Sequence, residues 1–188
     1  MYLSNWKKEL FTIPNLLTLF RLALIPVYMT IYLEAVTDAD HYLAGGILAL
    51  SCLTDLLDGA IARRFHMITD LGKLLDPLAD KATQLTLTLC LSLRYPILQP
   101  VMLMLIFKEF FQLAAGLHYL RRGLILPGVL PTGKICTAVL FITLTALVLF
   151  PNIPGTVVNV FAAACLAALS ISLVAYVMVF YGKYDPSL

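Results

Sequence analysis

Long apolar runs alternate with short polar connections along this chain. Six runs, over residues 13–33, 42–62, 74–93, 97–120, 135–150 and 157–181, predict transmembrane helices of roughly 20 residues each. The connections have distinct characters. Residues 34–41 are acidic, 63–73 are basic, and 94–96 form a short turn. Residues 121–134 and 151–155 are rich in Gly and Pro, which marks loops. Pro14 suits a helix start, and Pro77 is expected in the first turn of the third helix, where its missing N–H costs little. The fifth run is short, so its helix is expected to begin earlier or to cross without tilt. Gly45 and Gly46 are expected to permit close helix packing in the second. Residues 1–12 read as an interfacial segment, with Trp6 beside Lys7 and Lys8. The first run carries Arg21 and Pro26 and lacks a clear small-residue cleavage site, so it is expected to remain as a span. The pattern predicts an all-α integral membrane protein with six transmembrane helices in a single domain, 1–188.

Composition supports that reading: 61% of the 188 residues are hydrophobic, and the mean hydropathy is +0.91. The formal charge of +2, with no basic stripe interleaved by aromatics, excludes a nucleic-acid partner. Cys52, Cys90, Cys136 and Cys165 are scattered through apolar stretches without a Cys-x-x-Cys pair, so they read as small buried hydrophobes. His41, His66 and His118 are expected at a surface or interface.

The charges orient the spans. Lys7, Lys8, Arg63, Arg64, Lys73, Arg121, Arg122, Lys134 and Lys183 fall on one side. The other side shows Arg94 against Glu34, Asp38 and Asp40. The positive-inside rule then puts both termini on the cytoplasmic face.

Against this apolar background, four aspartates need a reason. Asp55 and Asp58 are three residues apart at the end of the second helix; Gly59 and Arg63 follow at four-residue steps on that face. Asp76 and Asp80 are four apart at the start of the third. The two helices meet at the cytoplasmic edge, so their faces can direct four carboxylates to one place. Like charges that close stay ionised only if cations neutralise them. Oxygen-only ligands favour Mg²⁺ or Mn²⁺, and two carboxylate pairs suffice for two ions, an arrangement suited to displacement at phosphorus. Nearby Arg63, Arg64, Lys73, Lys81, Arg121, Arg122 and Lys134 suggest a phosphorylated substrate, some of them serving lipid headgroups instead. Arg21, two turns into the first helix, must snorkel or face a polar cavity. Lys108-Glu109 in the fourth span either pair with each other or line that cavity.

The spacing Asp55-x2-Asp58-Gly59-x2-Ala62-Arg63-x8-Gly72-x3-Asp76-x3-Asp80 resembles, without departure, the signature of the CDP-alcohol phosphotransferase family. The opening Ile13-Pro14-Asn15-Leu16-Leu17-Thr18 with Arg21 is similar to the start of phosphatidylglycerophosphate synthases. That resemblance implies the six-helix fold of this family, usually a homodimer, with a cytosolic polar cavity in the membrane of a bacterial cell. It implies transfer of a phosphatidyl group from CDP-diacylglycerol to an alcohol, with release of CMP. Asp55, Asp58, Asp76 and Asp80 would hold two ions of Mg²⁺ or Mn²⁺, and Asp80 would also be the general base. Asn15, Leu16, Leu17, Thr18, Gly59, Arg63, Thr69 and Gly72 would handle CDP-diacylglycerol, with Gly59 and Gly72 either leaving room for cytidine or phosphate or serving only helix packing. Lys108, Arg121 and Lys134 would receive the acceptor. The resemblance points to glycerol 3-phosphate as that acceptor. The family's Arg-Glu pair and Gly-Lys-x-Lys-Thr run, however, read here as Lys108-Glu109 and Gly133-Lys134-Ile135-Cys136-Thr137. Fewer cations leave open a cardiolipin synthase that uses phosphatidylglycerol. A divalent-metal transporter is the alternative from another class; acids at one face, without an inverted repeat or broken-helix pair, speak against it.

Overall fold

Proline and threonine set the helix starts. The structure, a computed structural model, describes residues 9–65, 67, 69, 71–121 and 130–182. Trp6, Lys7, Lys8, His66, Arg122 and Lys183 lie outside the described residues. Helix α1, Ile13–Glu34, has Pro14 in its first turn, where a missing N–H is harmless. Helix α2, Asp38–Arg64, begins inside the expected acidic connection. The reason is a capping box: Asp40 N donates to Thr37 Oγ1 at 3.3 Å, and Thr37 N donates to Asp40 Oδ2 at 2.8 Å. Arg63 and Arg64 close α2 in its last turn, where positive charge suits the helix dipole.

Helix α3, Gly72–Arg94, starts earlier than the apolar run. Pro77 is therefore in the second turn rather than the first. A short 3₁₀ turn, Pro96–Leu98, leads into α4, Gln99–Arg121. Helix α5, Pro131–Leu149, begins ahead of its apolar run, one of the two outcomes its shortness allowed, and α6 is Gly155–Gly182.

Among the described residues, α1, α2, α4 with its 3₁₀ lead-in, α5 and α6 are long and apolar enough to cross a membrane. Helix α3 differs because Lys73, Asp76, Asp80 and Lys81 crowd its first half. Its 23 residues still span about 34 Å, at about 1.5 Å each. Large apolar side chains such as Leu103, Phe110 and Met178 are exposed, as a lipid-facing surface requires. The chain is an all-α, multi-pass membrane protein.

The chain forms two compact units, Met1–Cys90 and Leu91–Leu188, divided within α3. In the first, α1 packs along α2, and Tyr28, Ala44, Leu48, Ala79 and Leu87 are buried. His41 is buried too: its Nδ1 is 2.9 Å from the Thr37 carbonyl oxygen and its ring meets Tyr32 edge-on. That excludes the surface half of the expected surface-or-interface placement; the first turn of α2 turns His41 toward α1. His118 is exposed, as expected. Gly46 faces open space, so it makes no close helix contact there. In the second unit α6 packs against α5 and α4. Tyr119 donates to the Phe180 carbonyl at 2.7 Å, and Tyr176 covers Gly133, where a Cβ would come within 2.9 Å of the phenol oxygen. All four cysteines are free; Cys90, Cys136 and Cys165 are buried and Cys52 is partly so.

Candidate active site

The site is built where α1, the end of α2 and the start of α3 meet. On α1, positions 15, 18 and 21 recur at three-residue steps and share one face. Asn15, Thr18 and Arg21 are accordingly buried, while Leu16 is exposed and Leu17 only partly buried. Arg21 neither snorkels nor meets water. It is 3% exposed and reaches across to both other helices.

Its guanidinium ties the acids together. Arg21 Nη1 donates to Asp55 Oδ1 in a short contact and to Asp80 Oδ1 at 2.5 Å; Nη2 donates to Asp58 Oδ2 at 3.3 Å. Asp58 is the buried floor, its side chain 5% exposed, whereas the side chains of Asp55 and Asp80 are 44% and 58% exposed. The fourth acid is reached through Thr18. The Thr18 hydroxyl lies 2.7 Å from Asp76 Oδ1, 3.3 Å from Asp58 Oδ2 and 3.1 Å from the Pro14 carbonyl oxygen. One hydroxyl proton cannot serve three acceptors at once, so this corner has more acceptors than donors. Arg21 Nε, by contrast, is buried with no acceptor among the described residues.

A second set of bonds holds the start of α3 against α1. Asn15 Nδ2 donates to Thr69 Oγ1 at 3.0 Å and to the Glu9 carbonyl at 2.7 Å. Thr69 Oγ1 accepts from Gly72 N at 3.0 Å, and the Glu9 carboxylate accepts from Leu71 N at 3.0 Å. The Leu71 and Gly72 amides are donors that a helix start leaves unpaired, so these bonds cap α3. Gly72 is needed for this approach, since a Cβ there would sit 2.7 Å from Asn15 Oδ1. The space at Gly72 is thus filled by Asn15 rather than open to a ligand. At Gly59 the nearest atoms to a Cβ would be those of the Arg63 guanidinium, 3.2 Å away at Nη1, a flexible side chain that can yield.

These contacts join Thr18 and the four aspartates in one set and Asn15, Thr69 and Gly72 in another, whereas Leu16 and Arg63 are exposed. Two residues contribute beyond what sequence reasoning assigned. Arg21 was noticed, but its position at the centre was not legible. Glu9 had no signal beyond being a lone acid before Pro14. In the second unit, Lys108 is buried and paired with Glu109 Oε1 at 2.9 Å, while Arg121 and Lys134 are exposed near the ends of α4 and α5.

The fit to divalent cations can be judged from this donor set. Among the described residues, no three of His, Cys, Asp and Glu are grouped as a metal site. The guanidinium stands between the acids instead. Chemically the set does fit: four carboxylates and one hydroxyl are hard oxygen ligands, and their charge exceeds what Arg21 can neutralise.

The model of the CDP-alcohol phosphatidyltransferase family matches residues 11–181. The chain belongs to that family. Its resemblance to named members is partial in length. A rat cardiolipin synthase (CMP-forming) is 45% identical over 112 residues, 58% of this chain and 35% of the rat protein. A CDP-diacylglycerol–glycerol-3-phosphate 3-phosphatidyltransferase of Bacillus subtilis is 42% identical over 85 residues, 38% of this chain and 43% of that protein. A probable phosphatidylglycerophosphate synthase of Mycobacterium tuberculosis is 33% identical over 113 residues, 59% of this chain and 54% of that protein. The matched stretches thus span about half or less of these family members.

Proposed function

We propose that this protein transfers a phosphatidyl group from CDP-diacylglycerol to an alcohol, releasing CMP, at the cytoplasmic face of a cell membrane. The observation that carries the reading is the junction of the signature aspartates through Arg21 and Thr18, within a chain matched by the family model from 11 to 181. A cluster of acids on membrane helices is costly unless it handles cations.

Asp55, Asp58, Asp76 and Asp80 would hold two Mg²⁺ or Mn²⁺ ions, which would supply Lewis-acid stabilisation of the phosphoryl oxygens. The remaining work falls to the protein. Arg63, exposed in the last turn of α2, would meet the diphosphate and the charge left on departing CMP. Asp80, the more exposed of the acids bound to Arg21, would take the proton from the incoming hydroxyl. The attacking oxygen bonds to the phosphorus next to diacylglycerol, the bond to CMP breaks, and the proton resides on Asp80 until solvent removes it. Asn15, Thr69 and Gly72, which bond to one another, would position the start of α3 rather than hold cytidine in an open gap. The acyl chains would stay in the bilayer, and a homodimer is the assembly we expect.

For the acceptor we favour glycerol 3-phosphate, bound by Arg121 and Lys134, because the Gly133-Lys134 and Thr137 positions of the family run are retained. A specific observation favours phosphatidylglycerol as a second reading. Lys108 is engaged by Glu109, and buried Cys136 occupies the place of a second lysine, so few cations remain for an acceptor phosphate. Incubating the purified protein with CDP-diacylglycerol, Mg²⁺ and each acceptor, and measuring CMP, tests both readings. Release that requires glycerol 3-phosphate supports the first, and release that requires phosphatidylglycerol supports the second. Absence of alcohol-dependent release refutes the transferase.

A further inference from the structure

We infer that Arg21 is a built-in competitor for the divalent cations, a positioning residue that holds the acids together and lets go as ions bind. The inference rests on the reading of the four aspartates as metal ligands. Its starting point is geometric. Nη1 bonds to one oxygen each of Asp55 and Asp80, and Nη2 to Asp58. A small hard cation needs carboxylate oxygens at about 2.0–2.1 Å and tolerates little distortion. It cannot occupy the space between Asp55 Oδ1 and Asp80 Oδ1 while Nη1 is there, 2.5 Å from Asp80.

Burial sharpens the point. The Arg21 side chain is 4% exposed and the Asp58 side chain 5%, so this end of the cluster is closed to water. An unpaired buried carboxylate there would be strongly destabilising. Arg21 meets that need when no metal does. Ions can enter from the other side, where Asp55 and Asp80 are open. Where an ion takes Asp55 Oδ1, Asp80 Oδ1 or Asp58 Oδ2, the guanidinium gives that oxygen up. The buried Nε, which no acceptor among the described residues serves, is a further donor kept beside the site. A shifted guanidinium would carry it and the freed Nη groups to the nearest new anion, a phosphate oxygen of the bound substrate. Arg21 thereby links metal loading to substrate phosphate.

Linkage makes this measurable. If Arg21 and metal compete, removing the guanidinium tightens metal binding; if Arg21 only aligns the acids, removing it weakens binding. The full chain in detergent is titrated with Mn²⁺, and free Mn²⁺ is read by electron paramagnetic resonance. Arg21→Gln is expected to lower the Mn²⁺ Kd by at least about 5-fold, the low end of measured coupling between sites. In EDTA it is expected to melt below the wild type, and saturating Mn²⁺ should close that gap. Arg21→Lys keeps the charge but not the fork, so its Kd should fall between the two, and it carries the test alone if Arg21→Gln does not fold. Mn²⁺ binding no tighter in the folded variants than in the wild type overturns the inference while leaving the metal reading intact. Failure of the wild type to bind Mn²⁺, with Asp58→Asn unchanged from it, removes the metal reading and this inference together.

Discussion

Asp58 and Asp80 share one guanidinium but differ in solvent, with side chains 5% and 58% exposed. A residue that takes a proton from a substrate must be reachable, and a residue that braces the site need not be. Asp80→Asn should therefore reduce CMP release by about 100-fold or more while CDP-diacylglycerol still binds. A variant with near-normal turnover would take the base role from Asp80. Cys136 is a different case. Sequence comparison makes it a natural place to add a lysine and raise use of glycerol 3-phosphate, but the side chain is 1% exposed. Cys136→Lys would bury an ammonium without a carboxylate of its own and should lower stability by several kcal/mol, seen as a fall in Tm. An unchanged Tm would show that the site can open.

At the scale of helices, the decisive contact is the start of α3 against α1. Gly72→Ala would put a methyl 2.7 Å from Asn15 Oδ1 and force the latch of Asn15, Thr69 and Glu9 apart. The expected cost is about 1–3 kcal/mol, read by thermal unfolding, with turnover falling as α3 shifts. A variant as stable and active as the wild type would mean that the latch is soft. Much of this level was legible in advance. Apolar runs and prolines located six helices to within a few residues. The start of α2 was missed because Thr37 and Asp40 lie in a stretch whose acidity reads as a loop, and only the reciprocal bonds make it a cap. The spacing of Asp55, Asp58, Asp76 and Asp80 announced the site, since helical periodicity fixes which residues share a face. Periodicity does not say which neighbour meets that face, so Arg21 and Glu9 became assignable only in three dimensions. The same limit explains Gly72: a missing side chain reads as room for a ligand until Asn15 is seen to fill it.

For the whole molecule, the two-ion reading has a direct consequence. Treatment with EDTA should abolish CMP release, and added Mg²⁺ or Mn²⁺ should restore it. Turnover that persists in chelator would rule that reading out. Metal should also raise Tm, by an amount that grows with ion concentration, because ligands that bind only the folded state stabilise it. Glu9 has a practical bearing on such experiments. Its carboxylate grips the Leu71 amide, and its carbonyl receives Asn15, four residues before α1 begins. A protease cut just after Glu9 should release that clasp and lower CMP release without touching a single membrane helix.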